Sequence, residues 1–351
     1  MLAHPDIGFK DGGVDFVQAQ TYSACCEEFG AASRLPHQAY TSAVFQDLEN
    51  EKVWTRDWVC VGTLSEIINP ADLLPYTVGQ HAIHVQRAQS GGGLIGRFNK
   101  AQHGGCRAIP AQCRTGRKTK CSYTSCGFSR DRDVIAGSQL GEMTPQAGQF
   151  LGVYPERLLP VKVHCSGPFI FVNVDPTLGA DVRPPSVEFA ADRQAVRVGG
   201  HWREYLANWK LAGAALVDTA RSRANGGGAD SCISAEWCFP NLVTIKAGNV
   251  ALAIVIQPTG FDRALWRLSA FKDDRCTDAA YDRAYADLIG LIEQAAATAL
   301  SLQAAAERAM QDDVVEPSRA AWEFNQQLVQ RISAHHVAYW NEPLTQAHFG
   351  R

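Results

Sequence analysis

Between Ser42 and Gly62 the chain reads SAVFQDLENEKVWTRDWVCVG, with Val44, Phe45, Leu48, Val53 and Trp54 at mostly three- and four-residue spacing. That period puts them on one face of an amphipathic helix, which runs into a strand at Trp58 to Gly62. From about residue 58 to 175 the pattern shortens. HAIHVQRA, LIGRFN and VKVHCSGPFIFVNVDP set Ile83, Val85, Phe169, Phe171 and Val174 where a pleated, half-buried surface suits them, and Gly91-Gly92-Gly93 marks a turn. This predicts a small β domain. GADVRPPS, residues 179 to 186, reads as a connector, with a helix expected near Pro185 to Gln194. HWREYLANWKLAGAALVDTA then predicts a strand running into a helix, and ALAIVIQPTG and ALWRLSAFK predict antiparallel strands. The last third reads as helical, AYDRAYADLIGLIEQAAATALSLQ and then SRAAWEFNQQLVQRISAHH. Residues 1 to 34 carry no clear period, and Cys25 and Cys26 within them read as buried small side chains. The order, β domain first and strands with helices after, predicts an α+β protein.

At 351 residues and 46% hydrophobic the chain can bury a full core. A net charge of -3 provides no global field for nucleic acid or an anionic membrane surface, so neither is an expected partner. The start, MLAHPDIGFKDGG, lacks the basic and apolar regions of an export signal. The apolar stretch Ala279 to Leu302 is interrupted by Asp282, Arg283, Asp287 and Glu293, which a bilayer core penalises. A cytoplasmic protein is expected. Eleven cysteines, an odd number, favour free thiols or a metal over a disulfide framework, and five of them, Cys60, Cys106, Cys113, Cys121 and Cys126, are crowded together.

The segments WTRDWVCVG, FNKAQHGG, CSYTSCGF, PFIFVNVDP, NWKLA and WCFPNLVTI follow one another in an order and spacing that resembles the alpha subunits of Rieske non-haem iron oxygenases, over roughly residues 36 to 350. These are the ring-hydroxylating dioxygenases and N-demethylating monooxygenases. The resemblance implies a Rieske-like β domain over 58-178 and a helix-grip catalytic-type domain over 179-351, with residues 1-57 packing on the latter. It further implies a trimer-based oligomer, a small organic molecule in an apolar pocket, and a [2Fe-2S] cluster and Fe(II) as the family's cofactors.

The family's cluster motifs are C-x-H-R-G and C-x-x-H-x-W. This chain has Ala101-Gln102-His103-Gly104-Gly105 and Cys121-Ser122-Tyr123-Thr124-Ser125-Cys126, so one Cys and one His remain and each iron lacks one of its two protein ligands. His103, Cys106, Cys121 and Cys126 also make H-x2-C and C-x4-C pairs, which suit either residual cluster ligands or a tetrahedral zinc site. Small buried side chains are the plainer reading of Cys106 and Cys126. Nine Lys and Arg between Arg97 and Arg132 read as a solvated loop face rather than a docking face for an electron donor.

For the mononuclear iron the family supplies two histidines after N-W-K and a later carboxylate. In NWKLAGAALVDTARSRANGGG, Asp218 aligns with the family's bridging acid, Arg221 with the first histidine, and Asn225 or Gly226 with the second. A guanidinium is always protonated and has no lone pair to donate. Gly226 to Gly228 predict an early helix end. Glu323, Gln326 and Gln327 are rival alignments for the carboxylate. Asp218 and Arg221, about one turn apart, are expected to pair; alternatively Arg221 clamps a substrate carboxylate while Asp218 acts as general acid or base. No cofactor is expected unless zinc is bound. The leading expectation is a degenerate, silent partner subunit for an intact paralogue. The alternatives are a metal-free lyase, hydratase or isomerase in the old pocket, and an active oxygenase with atypical ligands.

Overall fold

The computed structural model describes residues 8–90, 92–99, 133–140, 150–151, 154–187, 189, 196–226, 233–309 and 316–334. A short hairpin of β1 (Lys10–Asp11) and β2 (Val14–Asp15) leads through a 3-10 stretch, Ala19–Cys26, to helices α1 (Gln38–Thr41) and α2 (Ala43–Glu49). Ser42 separates the two helices because its hydroxyl accepts from Val44 N at 3.2 Å and Phe45 N at 3.4 Å, capping α2. The helix expected through Trp54 widens into a π turn over Asn50–Trp54, and this turn carries both Val53 and Trp54 into the core. Cys25 is buried as expected, whereas Cys26 is exposed.

β3 (Val59–Thr63), β4 (Leu73–Val78), β5 (His81–Arg87), β6 (Leu94–Phe98), β7 (Pro160–Ser166) and β8 (Phe169–Asn173) form a six-stranded antiparallel sheet in the order β3-β8-β7-β6-β5-β4. Gly79, at φ +57°, opens the two-residue turn between β4 and β5, a backbone region that glycine enters without strain. His84 on β5 is buried, with Nδ1 2.7 Å from Asn99 Oδ1, so the ring carries its proton there, and its Nε2 has no partner among the described residues. Burial pushes its pKa down to about 4, against 6.5 in an ordinary setting. As pH falls from 6.5 toward 4 the unfolded chain takes a proton that the native ring refuses, so stability drops by about 3 kcal/mol over that window. Urea midpoints across the same window should fall steeply for the wild type and less for His84→Gln; equal slopes would mean that His84 titrates normally.

After the connector come β9 (Val196–Tyr205), α3 (Trp209–Gly226), β10 (Ile233–Cys238), β11 (Leu242–Ala247), β12 (Val250–Gly260), β13 (Arg263–Lys272), α4 (Asp278–Arg308) and α5 (Arg319–Ser333). The strands make an antiparallel sheet ordered β10-β11-β12-β13-β9, and α3 lies between it and the helices α4 and α5. Its first half is buried all round, which explains the unbroken run LAGAALV. The helix expected near Pro185 to Gln194 is not formed at 185–187 or 189, next to Pro184-Pro185, which disfavour it; residues 188 and 190–194 lie outside the described residues. Among the described residues α4 alone is long and apolar enough to cross a membrane, yet Leu288, Leu291, Ile292, Ala295 and Ala299 form a stripe buried within the protein. The fold is α+β, two antiparallel sheets with the long helices gathered against the second.

Asn241, between β10 and β11, joins the sheets. Its side chain accepts from Cys60 N at 3.0 Å and donates to Cys60 O at 2.8 Å and to Tyr76 OH at 3.1 Å, all buried. It thereby pairs like a short strand with β3 where the register against β8 shifts between Cys60 and Gly62.

Candidate functional site

The helix start NWK fixes α3. Asn208 caps it, its Oδ1 accepting from Lys210 N at 3.0 Å and its Nδ2 donating to Phe261 O at 2.6 Å. Lys210 Nζ and Trp209 Nε1 both reach Glu49 of α2, at 2.6 and 3.1 Å. The ion pair is 2% exposed on each side and lies among the rings of Tyr40, Phe45 and Trp209. Burial pushes the Glu49 carboxyl up and the Lys210 ammonium down, and each is opposed by the other's charge.

Further along, α3 meets the start of α5. Asp218 and Arg221 do not pair there as expected; each is engaged by a different part of α5. Asp218 Oδ1 accepts from Ala320 N at 3.2 Å and its carboxylate also bonds the Ser318 side chain, so it caps the N-terminus of α5. Burial pushes its carboxyl up, opposed by Ser318, the Ala320 amide and the Arg221 charge. Arg221 Nη2 donates to Glu323 Oε2 at 3.0 Å, and Arg319 Nε donates to Glu323 Oε1 at 2.9 Å. Partial burial would raise the Glu323 carboxyl, but Arg319 and Arg221 hold it below its ordinary value.

α5 is also tied along its length to the N-terminal segment. Gln326 Nε2 donates to Cys25 O at 2.9 Å, Trp322 Nε1 to Glu27 O at 2.9 Å, and Arg331 pairs with Asp57 at 3.1 Å. Glu323 is therefore the one of the three rival positions that carries a charge to Arg221. Behind it Phe324 stacks on Trp237 at 4.0 Å, and the Trp237 ring lies so close over Gly213 that an added Cβ would come within 2.6 Å of Cε2. The sequence reading missed this aromatic layer; WCFP and a glycine in the middle of a helix were its only traces.

A mononuclear iron held by two imidazoles and a carboxylate does not fit these residues. Among the described residues no group of three or more His, Cys, Asp or Glu converges. Of the positions that the resemblance assigns to the triad, Arg221 is a guanidinium and Asn225 is exposed, and Glu323, one of the three rival carboxylate alignments, has both oxygens bonded to arginines. The other metal candidates, His103, Cys106, Cys121 and Cys126, lie outside the described residues, as do Cys113, His335 and His336.

No family model matches the chain. It is 22% identical over 209 residues to the carnitine monooxygenase oxygenase subunit of Escherichia coli (strain K12), a match covering 56% of this chain and 54% of that one. To the large oxygenase component of salicylate 5-hydroxylase from Ralstonia sp it is 26% identical over 199 residues, covering 51% and 46%. The chain thus spans about half the length of the curated relatives it matches. Among solved structures, naphthalene 1,2-dioxygenase from Rhodococcus sp. bound to indole superposes with a TM-score of 0.61 over 91% of this chain and 99% of that one, at 14% identity. A quaternary ammonium Rieske monooxygenase with gamma-butyrobetaine gives 0.58 over the same shares, also at 14% identity. The chain is similar in sequence to alpha subunits of Rieske non-haem iron oxygenases and has their fold.

Proposed function

We propose that this chain is a Rieske oxygenase-type alpha subunit that does not activate oxygen at its own mononuclear position and instead serves as a structural or regulatory partner of an intact relative. The observation that carries this reading is the 3.0 Å bond between Arg221 and Glu323. At the place where the resemblance puts the first histidine stands a side chain that repels a metal cation, and the nearest carboxylate answers that side chain. The eroded cluster motifs around His103 and Cys121 point the same way, since a chain lacking both centres cannot pass electrons from one to the other. A partner role keeps what is intact, namely the sheets, the α3 anchor and the capped α5.

Arg221 is 40% exposed and offers Glu323 only part of its five N–H donors, which favours a second reading in which it clamps a substrate carboxylate beside Asp218 in a metal-free lyase, hydratase or isomerase. Asp218 is otherwise engaged at the α5 N-terminus, so the partner reading is preferred. Co-expression with an intact-motif alpha subunit from the same source, followed by native mass spectrometry, separates the two. The partner reading predicts mixed oligomers with iron in proportion to the intact subunit. Homo-oligomers alone, stabilised by small carboxylic acids and losing that response in Arg221→Met, would replace it with the second.

A further inference from the structure

We infer that the Arg221 guanidinium is the resident cation of the α3–α5 junction, a fixed charge that takes the place of a bound ion, with Glu323 as the carboxylate that answers it. The inference rests on the proposed reading of this site and says what holds the junction in place of a metal.

Arg221 carries its charge on α3 at every physiological pH, so the junction is neutralised from within the chain. Glu323 has both oxygens filled by guanidinium groups, at 3.0 Å from Arg221 and 2.9 Å from Arg319, and the second carboxylate nearby, Asp218, is spent on the Ala320 amide. Gln326 is turned to the Cys25 carbonyl, so among the described residues Glu323 is the acid that answers Arg221. Removing the charge of Arg221 frees Glu323 Oε2. Placing imidazoles at 221 and at the exposed 225, one turn apart on α3, would supply the paired nitrogen donors of a helical metal clamp beside that freed oxygen.

The test is a Co(II) titration, followed by visible absorption, of the full chain, of Arg221→His/Asn225→His, and of that pair combined with Glu323→Gln. The expected result is one Co(II) per chain in the histidine pair beyond whatever the wild type binds, no Co(II) in the wild type that depends on Glu323, and affinity for the added ion lower by roughly tenfold or more when Glu323→Gln is added. Should the histidine pair misfold, the charge exchange Arg221→Glu/Glu323→Arg provides the check. It should recover part of the melting temperature lost in Arg221→Glu alone, since Arg319 loses its own bond to position 323 in the exchange, and no recovery would overturn the inference. A folded histidine pair that binds no better than wild type, or binds equally well with Glu323→Gln, overturns it while leaving the partner function standing. A wild type that itself holds Co(II) or iron through Glu323 overturns both.

Discussion

Lys210→Met is expected to lower the unfolding free energy by about 3–5 kcal/mol, because it strands the Glu49 carboxylate in the core without its counter-charge. The pair is 2% exposed on both sides, and among the described residues Trp209 Nε1 is the one further donor to Glu49. That indole cannot hold a carboxylate in its ionised form, so Glu49 must take up a proton or draw in water. Glu49→Leu/Lys210→Met should recover much of the loss, since replacing a whole buried pair by apolar groups is far less damaging than breaking it. Urea unfolding of the two variants checks both statements. A loss below about 1 kcal/mol in Lys210→Met would mean that the pair is hydrated. The consequence reaches the candidate site, because Glu49 ties α2 to the start of α3, and α3 sets the position of Arg221.

Asn241→Ala should cost about 3–5 kcal/mol, since it leaves the buried N–H and C=O of Cys60 without partners and takes a donor from Tyr76. Asn241→Asp should rescue little. A carboxylate accepts from Cys60 N but turns its other oxygen toward Cys60 O. Hydrogen exchange at the Cys60 amide reads the effect locally: protection should collapse in both variants, and retained protection would place the junction of the two sheets elsewhere. Both positions belong to motifs that carried the resemblance, NWKLA and WCFPNLVTI, and both work by joining parts of the chain far apart in sequence.

Much of this architecture was legible because the residues concerned answer to local rules. The strands around Phe169 and Phe171, the strand into α3 and the long α4 follow from periodicity, and all formed close to where that periodicity put them. β4 shows no alternation because LLPYTV is buried at every position, and its Pro75 is tolerated because the strand sits at the sheet edge. β10 was readable in principle, since Ile233, Ala235 and Trp237 are less exposed than Ser234 and Glu236, but it was taken only as part of a motif. The helix expected near Pro185 to Gln194 is absent at 185–187 and 189, beside two consecutive prolines, and the rest of that span lies outside the described residues. At the candidate site, the absence of a lone pair at Arg221 was plain from the sequence, but its partner was not. Helical spacing favoured Asp218, and it lost to a contact 102 residues away because the α5 N-terminus offers Asp218 a backbone amide and a hydroxyl. Which acid answers which base between two helices depends on how they cross, and spacing within one helix carries no such information.

The most direct measurement is iron and acid-labile sulfide analysis, with a visible spectrum, on the full chain purified anaerobically without chelators. No stoichiometric iron and no Rieske-type absorption are expected. Iron with sulfide in the wild type, or one iron per chain that disappears in Glu323→Gln, would contradict this and restore oxygen activation to this chain.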